Sequence, residues 1–296
     1  MLLGFNIGHY TNTKTQTGLT VLLPDQPVKC HYHICGGAPA THSLTSLESE
    51  HLVDHIDALL LTGGSAFGLG AVSGVLQWLS EQGRGFPTKA ARVPIVPAAA
   101  IYDLGVGKVD YPLPEHAYAA CQNADKENPQ GLIGAATGAR VGKLFPGAQS
   151  MPGGLGYSEL SVGDLQVSAL AVVNCVGDVV ADDSSIIAGA KQGEVFFDTQ
   201  KNLLAGVPSR STLQGKNTTL VAVMTNAKLD KPGLKRLAKM ASAGLAKSIV
   251  PAFTPFDGDI VFAMSNGNQE ASDLLVGALA AEVVAKVIRQ SVLNVN

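Results

Sequence analysis

The 296-residue sequence carries 21 Lys and Arg against 24 Asp and Glu, a formal net charge of −3, with only 15% charged residues. Acids and bases are interspersed without a basic run, which argues against a nucleic-acid-binding surface. No stretch of about 18 apolar residues lacks both Gly and charge, so no transmembrane helix is expected. The opening MLLGFNIGHYTNTK has neither the basic nor the apolar region of a secretory signal. Cys30, Cys35, Cys121 and Cys175 form no C-x-x-C pair, so the reading is a reduced, cytoplasmic chain without a metal or other cofactor. The length suits one large α/β domain, and the abundance of Gly suggests closely packed layers and a buried subunit interface.

In chain order, GLTVLLPD (18–25) and VKCHYHICGG (28–37) read as two strands joined by a Pro turn. HIDALLLTGG (55–64) reads as an apolar strand entering a Gly turn. SAFGLGAVSGVLQWLSEQGRG (65–85) reads as a helix capped by Ser65, with Phe67, Val72, Val75, Leu76 and Leu79 inward. The prolines of RVPIVPAAAIYDLG (92–105) demand extended chain, and residues 112–130 read as a surface excursion. LQVSALAVVNCVGDVV (165–180) is β-rich, interrupted at Asn174 and Gly177. Residues 197–216 read as a mobile linker. TTLVAVMT (218–225) follows at once as a buried strand. Asp230 and Pro232 announce a helix with Leu234, Leu237, Ala241, Leu245 and Ile249 inward. IVFAMS (260–265) is a strand, and ASDLLVGALAAEVVAKVIRQ (271–290) a final amphipathic helix starting near Ser272. Strands alternating with helices predict sheets covered by helices.

The chemistry concentrates where the polar linker meets the apolar strand. A cut between Asn217 and Thr218 would put a hydroxyl and a new α-amine on one residue. That amine, with an ordinary pKa near ~7.7–8, can accept the hydroxyl proton at neutral pH. In the uncut chain the same hydroxyl could attack the Asn217 carbonyl. Asp257-Gly258-Asp259 supplies two acids in a loop that could orient such a threonine. Spacing alone leaves the plainer readings in front: Asn-Thr-Thr simply opens a strand, and Asp-Gly is an ordinary turn.

Several stretches together resemble the DmpA-type family of self-processing aminopeptidases and amidases, with its L-aminopeptidase/D-esterase, β-peptidyl aminopeptidase and nylon-oligomer endo-hydrolase relatives. They are TGLTVLL (17–23), GGAPATH (36–42), LTGGSAFGL (61–69), VPIVPAAAIYDLG (93–105), GAATGARVGK (134–143), AVVNCVGDVV (171–180), NTTLVAVMTNAKL (217–229), KRLAKMASAGLAKSI (235–249) and TPFDGDIVFAMSNG (254–267). The resemblance implies a single four-layer αββα sandwich that cuts itself into residues 1–217 and 218–296. It implies Thr218 as nucleophile, Asp257 and Asp259 as its acidic partners, and Asn174 as an oxyanion donor. Tyr102 and Lys143 would lie beside the substrate, which would be a small peptide, amide or ester, and the cut heterodimers would form a homo-oligomer. Strict aminopeptidases of the family carry an ammonium-binding glutamate two residues before the tyrosine. Ala100 stands there, as in the nylon-hydrolase branch, unless Asp103 substitutes. His42 also stands where many members have Arg, and Gly70 where Asp is common.

Two rivals share part of this pattern. An ornithine-acetyltransferase-type acyltransferase has a related fold, but its Ala-Thr-Met-Leu cut site differs from Asn217-Thr218-Thr219-Leu220. An uncut interaction protein is the second. His31, His33 and Cys35 would share a strand face, yet their spacing fits no standard zinc site. LTGGSAFG lacks the GK[ST] of a phosphate-binding loop and the final Gly of a nucleophile elbow.

Overall fold

The computed structural model describes residues 4–209 and 217–295. Its two main sheets use eleven strands: β1 (Phe5–Asn12), β2 (Thr17–Pro24), β3 (Val28–Ile34), β4 (Ala40–His42), β5 (His55–Ile56), β6 (Leu59–Thr62), β7 (Ala98–Ala100), β8 (Gly154–Val162), β9 (Leu165–Asn174), β10 (Thr218–Ala227) and β11 (Ile260–Gln269). One sheet has the order β1-β2-β6-β7-β4, the other β8-β9-β10-β11-β3-β5. The principal helices are α1 (Val72–Glu81), α2 (Pro114–Gln122), α3 (Lys231–Ala241), α4 (Ala243–Ser248) and α5 (Asp273–Leu293).

Side-chain alternation along the strands builds the layers, because successive residues face opposite sides of a sheet. On β10, Leu220, Ala222 and Met224 join Phe5, Leu22, Leu59 and Leu61 in a core between the two sheets. Val221 and Val223 point the other way, onto Leu234, Leu237, Val276 and Val283 of α3 and α5. On the far side, Leu19, Val21 and Leu60 meet Val72, Val75 and Leu79 of α1 and Ala117 and Ala120 of α2. Three apolar interfaces therefore separate helices, sheet, sheet and helices, the αββα order expected. Strands buried on both faces read as continuous apolar runs, which is why TGLTVLL and TTLVAVMT carry so little polar alternation.

Local readings fare unevenly. Asp230 caps α3, its carboxylate accepting from Gly233 N, and Ser272 caps α5 through Leu275 N. The 18–25 and 28–37 strands are not a hairpin: β2 and β3 belong to different sheets, and the Pro24–Pro27 turn carries the chain between layers. The predicted 65–85 helix is three pieces, Ser65–Gly68, a 3-10 turn Leu69–Ala71, and α1. Ser65 does not cap it; Ser65 is its first residue, at φ 53 after Gly64 at φ 75, with no side-chain cap bond. Phe67 is 64% exposed and stacks on Tyr111 rather than entering the core. The 112–130 excursion instead contains α2, which seals the five-stranded sheet with Ala117, Ala120 and Cys121. The helix after Asp230 breaks at Ser242, and Ile249 continues as a short strand. Within 197–216, Asp198 caps a helix over Thr199–Leu204, and 210–216 lie outside the described residues.

Lys231, at the start of α3, is buried and donates to the carbonyls of Glu48 and Val53 at 2.9 Å each and of Ser46 at 3.4 Å. It ties the 44–53 connection to the helix that covers β3. Lys231→Met should leave these carbonyls unpaired and cost roughly 3 kcal/mol, since bonds to charged groups are the strong ones. A lowered urea midpoint would register that loss, and an unchanged one would contradict it.

Candidate active site

Three neighbouring central strands converge at one end of the six-stranded sheet. β10 and β11 run parallel, so both begin there, and antiparallel β9 ends there. Thr218 opens β10 and sits opposite Asn174, the last residue of β9. Asn217 bridges to Asp257 in the connection leading into β11. The sheet register thus gathers residues more than 80 positions apart in sequence, and Asn174, Asn217, Thr218, Asp257 and Asp259 are all buried.

Thr218 Oγ1 donates to the Asn217 carbonyl oxygen at 2.5 Å. The same oxygen accepts Gly258 N–H at 2.7 Å. Asp259 Oδ1 accepts Thr219 N–H at 2.6 Å, while Oδ2 is buried without a hydrogen-bond partner among the described residues. Asp257 Oδ1 accepts Val176 N–H at 3.2 Å, and Oδ2 accepts the Thr254 hydroxyl. Lys143 Nζ donates to both the backbone oxygen and Oδ1 of Asn174, each at 2.8 Å. Its own backbone is pinned by Lys143 N donating to Val176 O. Arg140 N also donates to Asn174 Oδ1, which fixes the amide so that Nδ2 points toward the Tyr102 carbonyl at 3.4 Å. Asn174, Asn217, Thr218, Asp257, Asp259, Lys143 and the Tyr102 carbonyl therefore lie together, linked by hydrogen bonds and the short 257–259 segment.

The electrostatics of the cluster follow from burial. Desolvation, then the neighbouring Asp257, pushes the Asp259 carboxyl up to about 7. Asp257 is raised too, by burial, against the hydroxyl of Thr254, the amide of Val176 and the charge of Lys143. Burial drives Lys143 down to about 7, while Asp257 and Asp259 oppose the shift. Two buried acids with raised carboxyls beside a lysine whose amine is lowered, at the mouth of a strand, are the pattern of a reactive site.

Some positions answer differently from expectation. Asp103 does not stand free to bind an ammonium: it is buried, and its Oδ1 accepts Gly64 N–H at 2.7 Å. Ala100 is buried in β7 between Thr62 and Ala40. Among the described residues no cluster of His, Cys, Asp and Glu could hold a metal, and the four cysteines are free. Sequence reading missed Thr254, Val176 and Gly258. Thr254 had a legible signal, a Thr three residues before an Asp; the other two act through backbone N–H groups, which no residue type announces.

A sequence profile of peptidase family S58 matches residues 2–295. The chain belongs to peptidase family S58. An uncharacterized aminopeptidase of Mycobacterium leprae is 35% identical over 91% of this chain and 78% of its own length. The 6-aminohexanoate-oligomer endohydrolase of Paenarthrobacter ureafaciens is 28% identical over 95% of this chain and 82% of its own. Among solved structures, a Burkholderia sp. β-aminopeptidase superposes with a TM-score of 0.74 at 20% identity, covering 99% of this chain and 85% of that one. The L-aminopeptidase D-Ala-esterase/amidase of Ochrobactrum anthropi, a variant of the Ntn hydrolase fold, gives 0.74 at 18% identity over 97% and 83%. The S58 chain is thus a hydrolase of the peptidase and amidase class with an Ntn-type αββα fold. No helix among its described residues is long and apolar enough to cross a membrane.

Proposed function

We propose that this protein is a self-processing amide hydrolase whose nucleophile is Thr218. The observation that carries the reading is the Thr218 hydroxyl held 2.5 Å from the oxygen of its own preceding peptide bond, beside two buried acids. In the first step Thr218 Oγ bonds to the Asn217 carbonyl carbon. The C–N bond breaks, and the hydroxyl proton ends on the Thr218 nitrogen. Water then hydrolyses the ester, leaving residues 1–217 with a terminal carboxylate and 218–296 with a free α-amine beside a free hydroxyl. The cut enzyme repeats the chemistry on substrate: the amine takes the hydroxyl proton as Oγ bonds to the substrate carbonyl carbon. The substrate C–N bond breaks, the departing amine takes that proton, and water hydrolyses the acyl ester and restores the Thr218 hydroxyl.

Asp259 and Asp257 orient the β10 terminus and hold its ammonium. Asn174 Nδ2 is the side-chain donor for the substrate oxyanion, and Lys143 fixes that amide by binding its oxygen. Tyr102 lies beside Asn174 and lines the acyl site. Substrates are small peptides or amides, with esters as further acyl donors. With alanine at position 100 and Asp103 buried, its Oδ1 already accepting from Gly64 N, neither position offers a free N-terminal ammonium an exposed acid, which favours internal amides over strict aminopeptidase action. The cut heterodimer assembles with further copies, in the cytoplasm.

Purified protein on a denaturing gel tests the reading. Two bands are expected, the smaller beginning Thr-Thr-Leu by N-terminal sequencing. A single full-length band from active protein would refute the cut. The acyltransferase alternative is tested by acetylornithine plus glutamate, which should give no acetyl transfer.

A further inference from the structure

The Asp257-Gly258-Asp259 segment is held on both flanks by backbone. On one side Ala38 N donates to Asp257 O at 2.9 Å, and Cys35 N and Gly36 N donate to Asp259 O at 2.8 and 3.2 Å. The approach is close: a Cβ on Gly36 would lie 2.2 Å from Asp257 O and 2.8 Å from Asp259 N. On the other side lies the Asn217–Thr218 peptide. Gly258 N–H donates to the Asn217 carbonyl oxygen at 2.7 Å, and a Cβ on Gly258 would stand 2.8 Å from Thr218 Oγ1 and 2.7 Å from Ala38 O.

The Asn217 oxygen thus has two donors of different fate. Thr218 Oγ–H must leave that oxygen as Oγ turns onto the carbonyl carbon. Gly258 N–H belongs to a clamped backbone and stays. The Asn174 amide that the substrate step would use is directed instead at Tyr102 O. Resting on the self-cleavage reading above, we infer that Gly258 serves the first acyl shift in two ways. Its N–H stabilises the negative charge that develops on the Asn217 oxygen, and its missing side chain leaves the slot in which the Thr218 hydroxyl moves. In that step the Oγ–C bond forms, the C–N pair leaves with nitrogen, and the hydroxyl proton follows to the amine. The charge on oxygen is transient, and Gly258 N–H neither gains nor loses a proton.

Gly258→Ala tests this. Alanine keeps the N–H, but its Cβ would stand 2.8 Å from Thr218 Oγ1 and 2.7 Å from Ala38 O, so it blocks the hydroxyl's slot and pushes the N–H off the Asn217 oxygen. A displaced oxyanion donor typically costs about 10²–10³ in rate, so the folded variant should cut itself at least about 10²-fold more slowly than the parent. Hydroxylamine, which cleaves an accumulated ester, should not restore the cut, because the block precedes the ester. A folded Gly258→Ala protein that cuts at the parental rate, or is cut fully by hydroxylamine, overturns the inference. A parent that never cuts overturns the self-cleavage reading instead, so the two failures are distinguishable. If the variant does not fold, hydrogen exchange at Gly258 decides. Its amide should be protected in the uncut Thr218→Ala protein and lose that protection in the cut parent. Fast exchange in the former, or equal protection in both, overturns it.

Discussion

Thr218→Ala should yield one chain of 30.5 kDa and no amide hydrolysis. The substitution removes the hydroxyl that Thr218 places on the Asn217 carbonyl, so the uncut peptide bond should persist and no α-amine should be created. Two losses coincide in one variant, the nucleophile and the base that would activate it. Removing a nucleophile from an established hydrolytic triad costs about 10⁶-fold in kcat, and a loss of at least about 10⁴-fold is expected here. Thr218→Ser, which keeps the oxygen, should still cut and retain measurable activity. The fold itself should survive: β10 is held by its ladders to β9 and β11 and by Leu220, Ala222 and Met224. An unaltered unfolding midpoint for the alanine variant, with one band on the gel, separates lost chemistry from lost structure. Two bands from Thr218→Ala would assign the cut to another residue or to a contaminating protease.

Asp259→Asn should cost about 10²-fold or more in activity, the lower range of general acid–base effects, and should change how stability depends on pH. Asparagine keeps an oxygen for Thr219 N–H and removes the titrating group. In the parent, burial and Asp257 raise the Asp259 carboxyl to about 7 from an ordinary value of 3.8. The folded protein therefore binds a proton that the unfolded chain releases between those values. A raised acid gives stability that is complete below pH 3.8 and is lost as pH rises through 7. Lys143 acts in the opposite sense. Its amine is lowered from 10.5 to about 7 by burial, so its contribution is present above pH 10.5 and is lost as pH falls through 7. Measured on Thr218→Ala, so that the chain stays whole, Asp259→Asn should remove the loss between pH 4 and 7 and leave the Lys143 dependence above it. An identical pH profile of the unfolding midpoint with and without Asp259→Asn would overturn the assignment.

The chemistry of the site also accounts for its placement at the beginning of a strand. A residue in mid-strand spends its N–H and C=O on the ladder, whereas Thr218 stands at the end of one. There the preceding carbonyl is free to accept Gly258 N–H and the threonine hydroxyl. The acids are buried with it, and Asp259 Oδ2 has no hydrogen-bond partner among the described residues. Burial, then the neighbouring Asp257, is what raises the Asp259 carboxyl.

Much of this was legible in the residues. Buried strands announced themselves as apolar runs, Asp230 and Ser272 marked helix starts, and the polar-to-apolar junction at Asn217–Thr218 marked the candidate site once matched to a family pattern. Those signals are local: capping needs one side chain and one N–H a few residues away, and burial needs only apolar composition. What the sequence left open is nonlocal. Nothing in Pro24–Pro27 says that the chain changes sheets, and nothing in residues 112–130 says that α2 closes the outer core. Phe67 fits a helical stripe, yet the 3-10 turn Leu69–Ala71 separates its short helix from α1, and it lies exposed against Tyr111. The role of Gly258 was invisible, because Asp-Gly reads as a turn until the Asn217 carbonyl and the Cys35–Ala38 segment lie against it. By itself the sequence determined which segments are buried and which residues are the candidates for the chemistry. Only the tertiary structure decided which backbone donors face the Asn217–Thr218 bond, because strand register, not residue identity, sets where an N–H points.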